Sequence, residues 1–139
     1  MIDTSIEYLG LELKTPLVVS SNPLCRDVGN IRQMQDAGAG AVVLPSLFEE
    51  QIILQEHKDG SIGEDTTVLP PALNHLPAMK EYNKGVDGYL MHIYEAKQAV
   101  DIPVIASLNG TSTGGWVKYA RLLESAGADA MALNIYYMP

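Results

Sequence analysis

Two stretches of this 139-residue chain repeat one device. Ala37-Gly38-Ala39-Gly40-Ala41 leads into Val42-Val43-Leu44, and Ala126-Gly127-Ala128-Asp129-Ala130 leads into Met131-Ala132-Leu133-Asn134-Ile135. In each, a glycine stands where a helix can end in the left-handed conformation, and a tight turn passes at once into a short apolar run. Uninterrupted apolar runs of that length are what strands buried on both faces look like. A helix stop followed directly by a buried strand is half of a β-α-β unit. Two copies of it point to a parallel sheet with right-handed crossovers.

Two more runs fit the same plan. Pro16 opens Leu17-Val18-Val19, which ends in the loop residues Ser20-Ser21-Asn22-Pro23, and Pro103 opens Val104-Ile105-Ala106-Ser107-Leu108. Helices are expected over 27–37, 87–100 and 114–126. Asp27 or Asn30 caps the first, with Ile31, Met34 and Ala37 close to one face. Leu90, Ile93, Tyr94 and Lys97 step down the second, and Thr113 caps the third. Residues 5–14 read as a β-hairpin turning at Gly10, able to plug one end of a barrel. Residues 46–84 form a long connection with Pro70-Pro71 and Pro77, and a connection of that length in a compact domain is usually functional or partly disordered. The whole of 1–139 is expected to be one domain, with hairpin 5–14 and barrel part 16–139. A closed (β/α)8 barrel takes eight strands and typically about 250 residues, so four strands amount to half of one.

Composition narrows the function. A formal charge of −8 argues against general nucleic-acid binding. No apolar run approaches the roughly 20 residues of a membrane helix, and the N-terminus lacks the pattern of a signal peptide. Cys25 is the only cysteine, which fits a reducing cytoplasm. His57, His75 and His92 do not have metal-ligand spacing, so no metal is expected. Cys25 reads as a small buried hydrophobe rather than a reactive thiol.

Three strand ends carry a more specific resemblance. Val18-Val19-Ser20-Ser21-Asn22-Pro23, Ile102-Pro103-Val104-Ile105-Ala106-Ser107-Leu108-Asn109-Gly110 and Ala132-Leu133-Asn134-Ile135-Tyr136-Tyr137-Met138-Pro139 together resemble dihydroorotate dehydrogenases. These are FMN-dependent TIM barrels of pyrimidine biosynthesis, and the likeness is greatest to the soluble class. The resemblance implies an α/β fold, the N-terminal half of a TIM (β/α)8 barrel, with about four parallel strands, outer helices and an N-terminal hairpin. It also implies an FMN oxidoreductase acting on dihydroorotate or a similar small molecule.

Ser20, Ser21, Ser46, Asn109 and Asn134 all fall at C-terminal strand ends, where functional residues of such barrels sit. By the resemblance, Ser20 and Ser21 are small residues that let the backbone approach the flavin. Ser46 and Asn109 contact the cofactor, and Asn134 contacts cofactor or substrate. Asn74, in the long connection, matches a substrate-binding loop. Each also has a plainer reading, as strand-end or turn chemistry. Two positions depart from the family. Pro45 stands where a Lys normally lies beside the flavin, and proline offers neither a cation nor a donor. Tyr137 stands where the soluble class places its catalytic Cys, and a phenol of ordinary pKa near 10 is a poor base at neutral pH.

The resemblance places the FMN phosphate site and a flavin-contacting Lys in the other half of the barrel. The expectation is therefore an incomplete site and little activity from this chain alone. Its sheet edges would pair with the remainder of the barrel or with a second copy. The alternative is a non-catalytic half-barrel that serves as an assembly module. An aldolase- or isomerase-type barrel is disfavoured, because no strand end carries a Lys or paired carboxylates.

Overall fold

The computed structural model of the chain describes residues 3–49, 52, 85–110 and 115–135. It opens with an antiparallel hairpin of β1 (Ile6–Tyr8) and β2 (Leu11–Leu13). Leu9 and Gly10 form the turn with φ of 54° and 75°. Two successive positive φ values make a type I′ turn, whose twist matches that of the strands it joins.

Next come β3 (Val18–Val19), a 3-10 helix (Pro23–Arg26), α1 (Val28–Asp36), β4 (Ala41–Val43) and β5 (Leu47–Phe48). The next described elements are α2 (Gly85–Ala99), β6 (Val104–Gly110), α3 (Gly115–Ser125) and β7 (Ala130–Ile135). All the sheet pairings outside the hairpin are parallel. β3 pairs β4, β6 pairs both β4 and β5, and β7 lies on the other side of β6. The expected α/β half-barrel, with outer helices and a separate hairpin, is the architecture found.

The repeated device works as its glycines suggest. Gly38 and Gly127 have φ of 101° and 100°. Gly38 N–H donates to Gln35 O and Ala39 N–H to Met34 O, while Gly127 N–H donates to Glu124 O and Ala128 N–H to Leu123 O. Each pair is a Schellman closure that satisfies carbonyls left over at a helix end. The copies diverge one residue on. A Cβ on Gly40 would overlap the Thr15 carbonyl, so that position needs glycine. Asp129, its counterpart, accepts from Val104 N–H at 2.7 Å and pairs with Lys97 at 2.8 Å.

At the other end of α1, Asp27 caps the helix by accepting from Asn30 N–H at 2.9 Å. Two expected helix faces shift. Ile31 is buried and Met34 half-buried, but Ala37 is exposed, because it already sits in the closing turn. On α2 the buried residues are Tyr89, Ile93 and Ala96, while Leu90 is half-buried and Tyr94 is 55% exposed. The core stripe therefore starts one residue earlier than the apolar pattern suggests.

The sheet separates two cores. Val42, Leu44, Val104, Ala106 and Leu108 pack against the helices with Ile31 and Ile93. On the opposite face Ala41 and Ile105 pack with Leu13 of the hairpin, bordered by Val43, Ala130 and Ala132. Ala41, Ile105 and Ala130 lie at or near the starts of their strands, so the hairpin closes the N-terminal end of the inner face, as a plug would.

The expected connection over 46–84 lies mostly outside the described residues, and at its start strand pairing resumes at Leu47 and Phe48. β4 and β5 both pair β6 on the same side, but out of step. Val43 faces Ile105 and Leu47 faces Leu108, so four steps on one chain span three on the other. That single extra residue is a β-bulge. Pro45 lies inside it and is fully buried. Proline has no amide for the ladder, and a bulge is where a sheet tolerates it.

Candidate functional site

Strand alternation decides which polar groups share a face. On β6, Ile105 belongs to the inner core, so Ser107 and Asn109 project the same way. On β7, Ala130 and Ala132 are inner, and Asn134 follows them. Asn109 and Asn134 are directly opposite in the parallel register. The inner face is thus apolar where the strands begin and polar where they end.

These polar groups are joined. Ser46 Oγ lies 2.7 Å from Ser107 Oγ. Asn134 Nδ2 donates to Ser107 Oγ at 3.3 Å and to Asn109 Oδ1 at 2.8 Å. Ser107 is 2% exposed and forms the buried hub. Ser46 and Asn109 are half-buried and Asn134 is exposed, so the outer members face the open end. The hub hydroxyl accepts from one amide and shares a proton with one hydroxyl.

The backbone of the hub is held separately. Pro103 O and Ile105 O accept from the Val42 and Leu44 amides at 3.0 and 2.9 Å, so alternate residues of β6 address β4. Ser107 is next in that series and meets the bulge. Its N–H donates to the Tyr89 hydroxyl at 3.0 Å, and that hydroxyl donates to its carbonyl at 3.3 Å. One phenol from α2 thereby substitutes for two ladder bonds that the bulge removes. Burial pushes the Tyr89 pKa up to about 12, partly offset by the Ser107 backbone bond. The ring therefore stays protonated and can donate and accept at once.

Of the residues singled out in the sequence, Ser46, Asn109 and Asn134 come together. Ser20 and Ser21 are exposed at the end of β3, beyond β4 from this cluster. The Ser20 carbonyl accepts from Asn22 Nδ2 at 2.7 Å, which shapes the loop before the 3-10 helix. Asn74 and Tyr137, like Thr113, lie outside the described residues. Sequence reasoning missed Ser107 and Tyr89. Ser107 had a signal, since it sits two residues before Asn109 and so shares its face.

Cys25 is fully buried, with Sγ 3.2 Å from Asn22 Nδ2 and 4.0 Å from Met34 Sδ. Burial raises its pKa, which disfavours the reactive thiolate. His92 Nε2 lies 2.8 Å from Cys25 O and ties α2 to the 3-10 helix. Among the described residues no three His, Cys, Asp or Glu side chains gather as a metal site, and no helix is long and apolar enough to cross a membrane.

No protein-family model matches the chain. Individual proteins do. It is 29% identical over 133 residues to a protein of Aeropyrum pernix assigned as dihydroorotate dehydrogenase A (fumarate), covering 96% of this chain and 41% of that protein. It is 30% identical over 127 residues to the catalytic subunit of dihydroorotate dehydrogenase B (NAD(+)) of Methanosarcina acetivorans, covering 91% and 38%. The corresponding catalytic subunit of Thermoplasma acidophilum is 26% identical over 141 residues, covering 97% and 42%. The chain spans about two-fifths of the length of these curated relatives.

Proposed function

Because the chain is related over nearly its whole length to an N-terminal part of the dihydroorotate dehydrogenases, we propose that it supplies the first half of an FMN-binding barrel that oxidises dihydroorotate or a close analogue to the corresponding unsaturated product. The observation that carries this reading is the linked set Ser46, Ser107, Asn134 and Asn109 at the C-terminal strand ends. That is where barrels of this type place their chemistry.

The donor set fits one part of the cofactor. Neutral hydroxyls and amides suit the hydrogen-bonding edge of a flavin ring or an orotate-like ligand. They do not suit a phosphate, which asks for helix N-termini, backbone amides or cations. By the resemblance, the phosphate partners would lie in the part of the barrel that this chain does not span. When bound, the flavin supplies the hydride acceptor. The residues here orient it: Asn134 and Asn109 from adjacent strands, Ser46 from the bulge, Ser20 and Ser21 by leaving room beside β3. Pro45 gives no cation where the family has Lys, so the flavin is held more weakly on that side. By the resemblance, Asn74 joins substrate binding and Tyr137 occupies the position of the family base. The single cysteine supports a cytoplasmic location in this reading.

The test is direct. Purified protein is mixed with FMN, desalted, and its absorbance recorded between about 370 and 450 nm before and after anaerobic dihydroorotate. Retained flavin that bleaches supports the proposal. Retained flavin that does not bleach leaves the cofactor and removes the substrate. Loss of all flavin on desalting defeats both.

A second reading is favoured by the outer strands. Among the described residues β3 pairs only β4 and β7 only β6, and Leu17 and Ile135 are 64% and 65% exposed. Such edges template pairing with another chain. In this reading the half-barrel is an assembly module, and a self-associated species without bound flavin is its signature.

A further inference from the structure

The bulge, the phenol and the buried hydroxyl form one device. Pro45 cannot feed the ladder, and the bulge around it shifts β5 by one residue against β6. At the same level the amide and carbonyl of Ser107 turn to Tyr89. Ser107 Oγ in turn holds Ser46 and Asn134, the two groups that face the open end from the strands on either side. Tyr89 itself belongs to the helix-side core and is 4% exposed, so it cannot touch a ligand on the inner face. Any influence it has there passes through Ser107.

We propose that Tyr89 and Ser107 are a positioning pair for the flavin site: the Tyr89 hydroxyl fixes the Ser107 backbone across the bulge, and Ser107 Oγ fixes the orientation of Ser46 and Asn134 toward the ligand. The proposal rests on the flavin reading above. It also yields a consequence independent of it, because the Ser107 amide is held by a side chain rather than by a neighbouring strand.

Two variants and their combination test it. Tyr89→Phe removes the hydroxyl and keeps the ring, and Ser107→Ala removes the hub and keeps the backbone bonds to Tyr89. FMN affinity of the full chain is read by quenching of flavin fluorescence. Each single variant is expected to weaken FMN about tenfold, the usual scale for one well-formed hydrogen bond. The double variant is expected to be no weaker than the weaker single, because both act through one path. Multiplication of the two effects would overturn the proposal, since an independent structural role for Tyr89 would behave that way. Amide exchange at Ser107 is the second measurement. It is expected to accelerate in Tyr89→Phe and to stay slow in Ser107→Ala, and unchanged exchange in Tyr89→Phe would also overturn the proposal. If the parent chain binds no FMN, the cofactor reading fails, while the exchange result still decides whether Tyr89 holds Ser107.

Discussion

The two ends of the sheet's inner face are built from opposite materials. Where the strands begin, Ala41, Ile105 and Leu13 pack without a polar side chain. Where they end, Ser46, Ser107, Asn109 and Asn134 bond to one another. The first end is closed by a hairpin with a tight I′ turn. The second is held by a bulge that gives up ladder bonds and regains them from a helix. The bulge at the second end separates a packed base from a hydrogen-bonded rim. In barrels of this class the base carries stability and the rim carries chemistry.

Substitutions at the two ends should therefore differ in kind. The largest effect is expected at the base. Leu13→Ala leaves a cavity under the hairpin and should cost about 2–5 kcal/mol in chemical denaturation. Where the variant still folds, its FMN affinity should match the parent; a parallel loss of affinity would break the division between base and rim.

Next is Tyr89→Phe, the one change expected to register in both stability and FMN binding. It strands a buried N–H and C=O of Ser107 and should cost about 1–3 kcal/mol. The same residue gives a pH signature. Its folded pKa is about 12 against an ordinary value of 10, so the unfolded chain releases this proton first. The stabilisation is fully present below pH 10 and is lost as pH rises from about 10 through about 12. Denaturant midpoints across that window should fall more steeply in the parent than in Tyr89→Phe. Equal slopes would mean that the phenol is not buried as described.

Smaller still is Lys97→Ala. The Lys97–Asp129 pair is about a quarter exposed, and its loss should cost about 0.2–1 kcal/mol, reduced further by salt. Asp129 keeps its bond to the Val104 amide in that variant, so a loss of several kcal/mol would show that the pair, and not the amide bond, seats β6.

How much of this could be read from the sequence follows the same line. The base is legible because its determinants are local. Gly38 and Gly127 announce helix ends, Asp27 announces a cap, and apolar runs announce buried strands. The rim is less legible because its determinants are pairings across distance. Ser46, Asn109 and Asn134 could be placed at strand ends, but Ser107 sits in an apolar run and reads as core. Tyr89 reads as a helix residue outside the chosen stripe, and nothing local says that its hydroxyl repairs a ladder 18 residues away. Pro45 was visible as a departure from Lys. Its structural consequence, the bulge, depends on a register that only the paired strand reveals.

Asn134→Ala puts the central claim to its most direct test. The side chain is exposed and makes two hydrogen bonds, both within the rim network. If the rim is a ligand site, the parent should retain flavin absorbance through desalting, and the variant should melt within a few degrees of it, as surface substitutions do, yet lose that absorbance. Flavin retained equally by parent and variant would contradict the account.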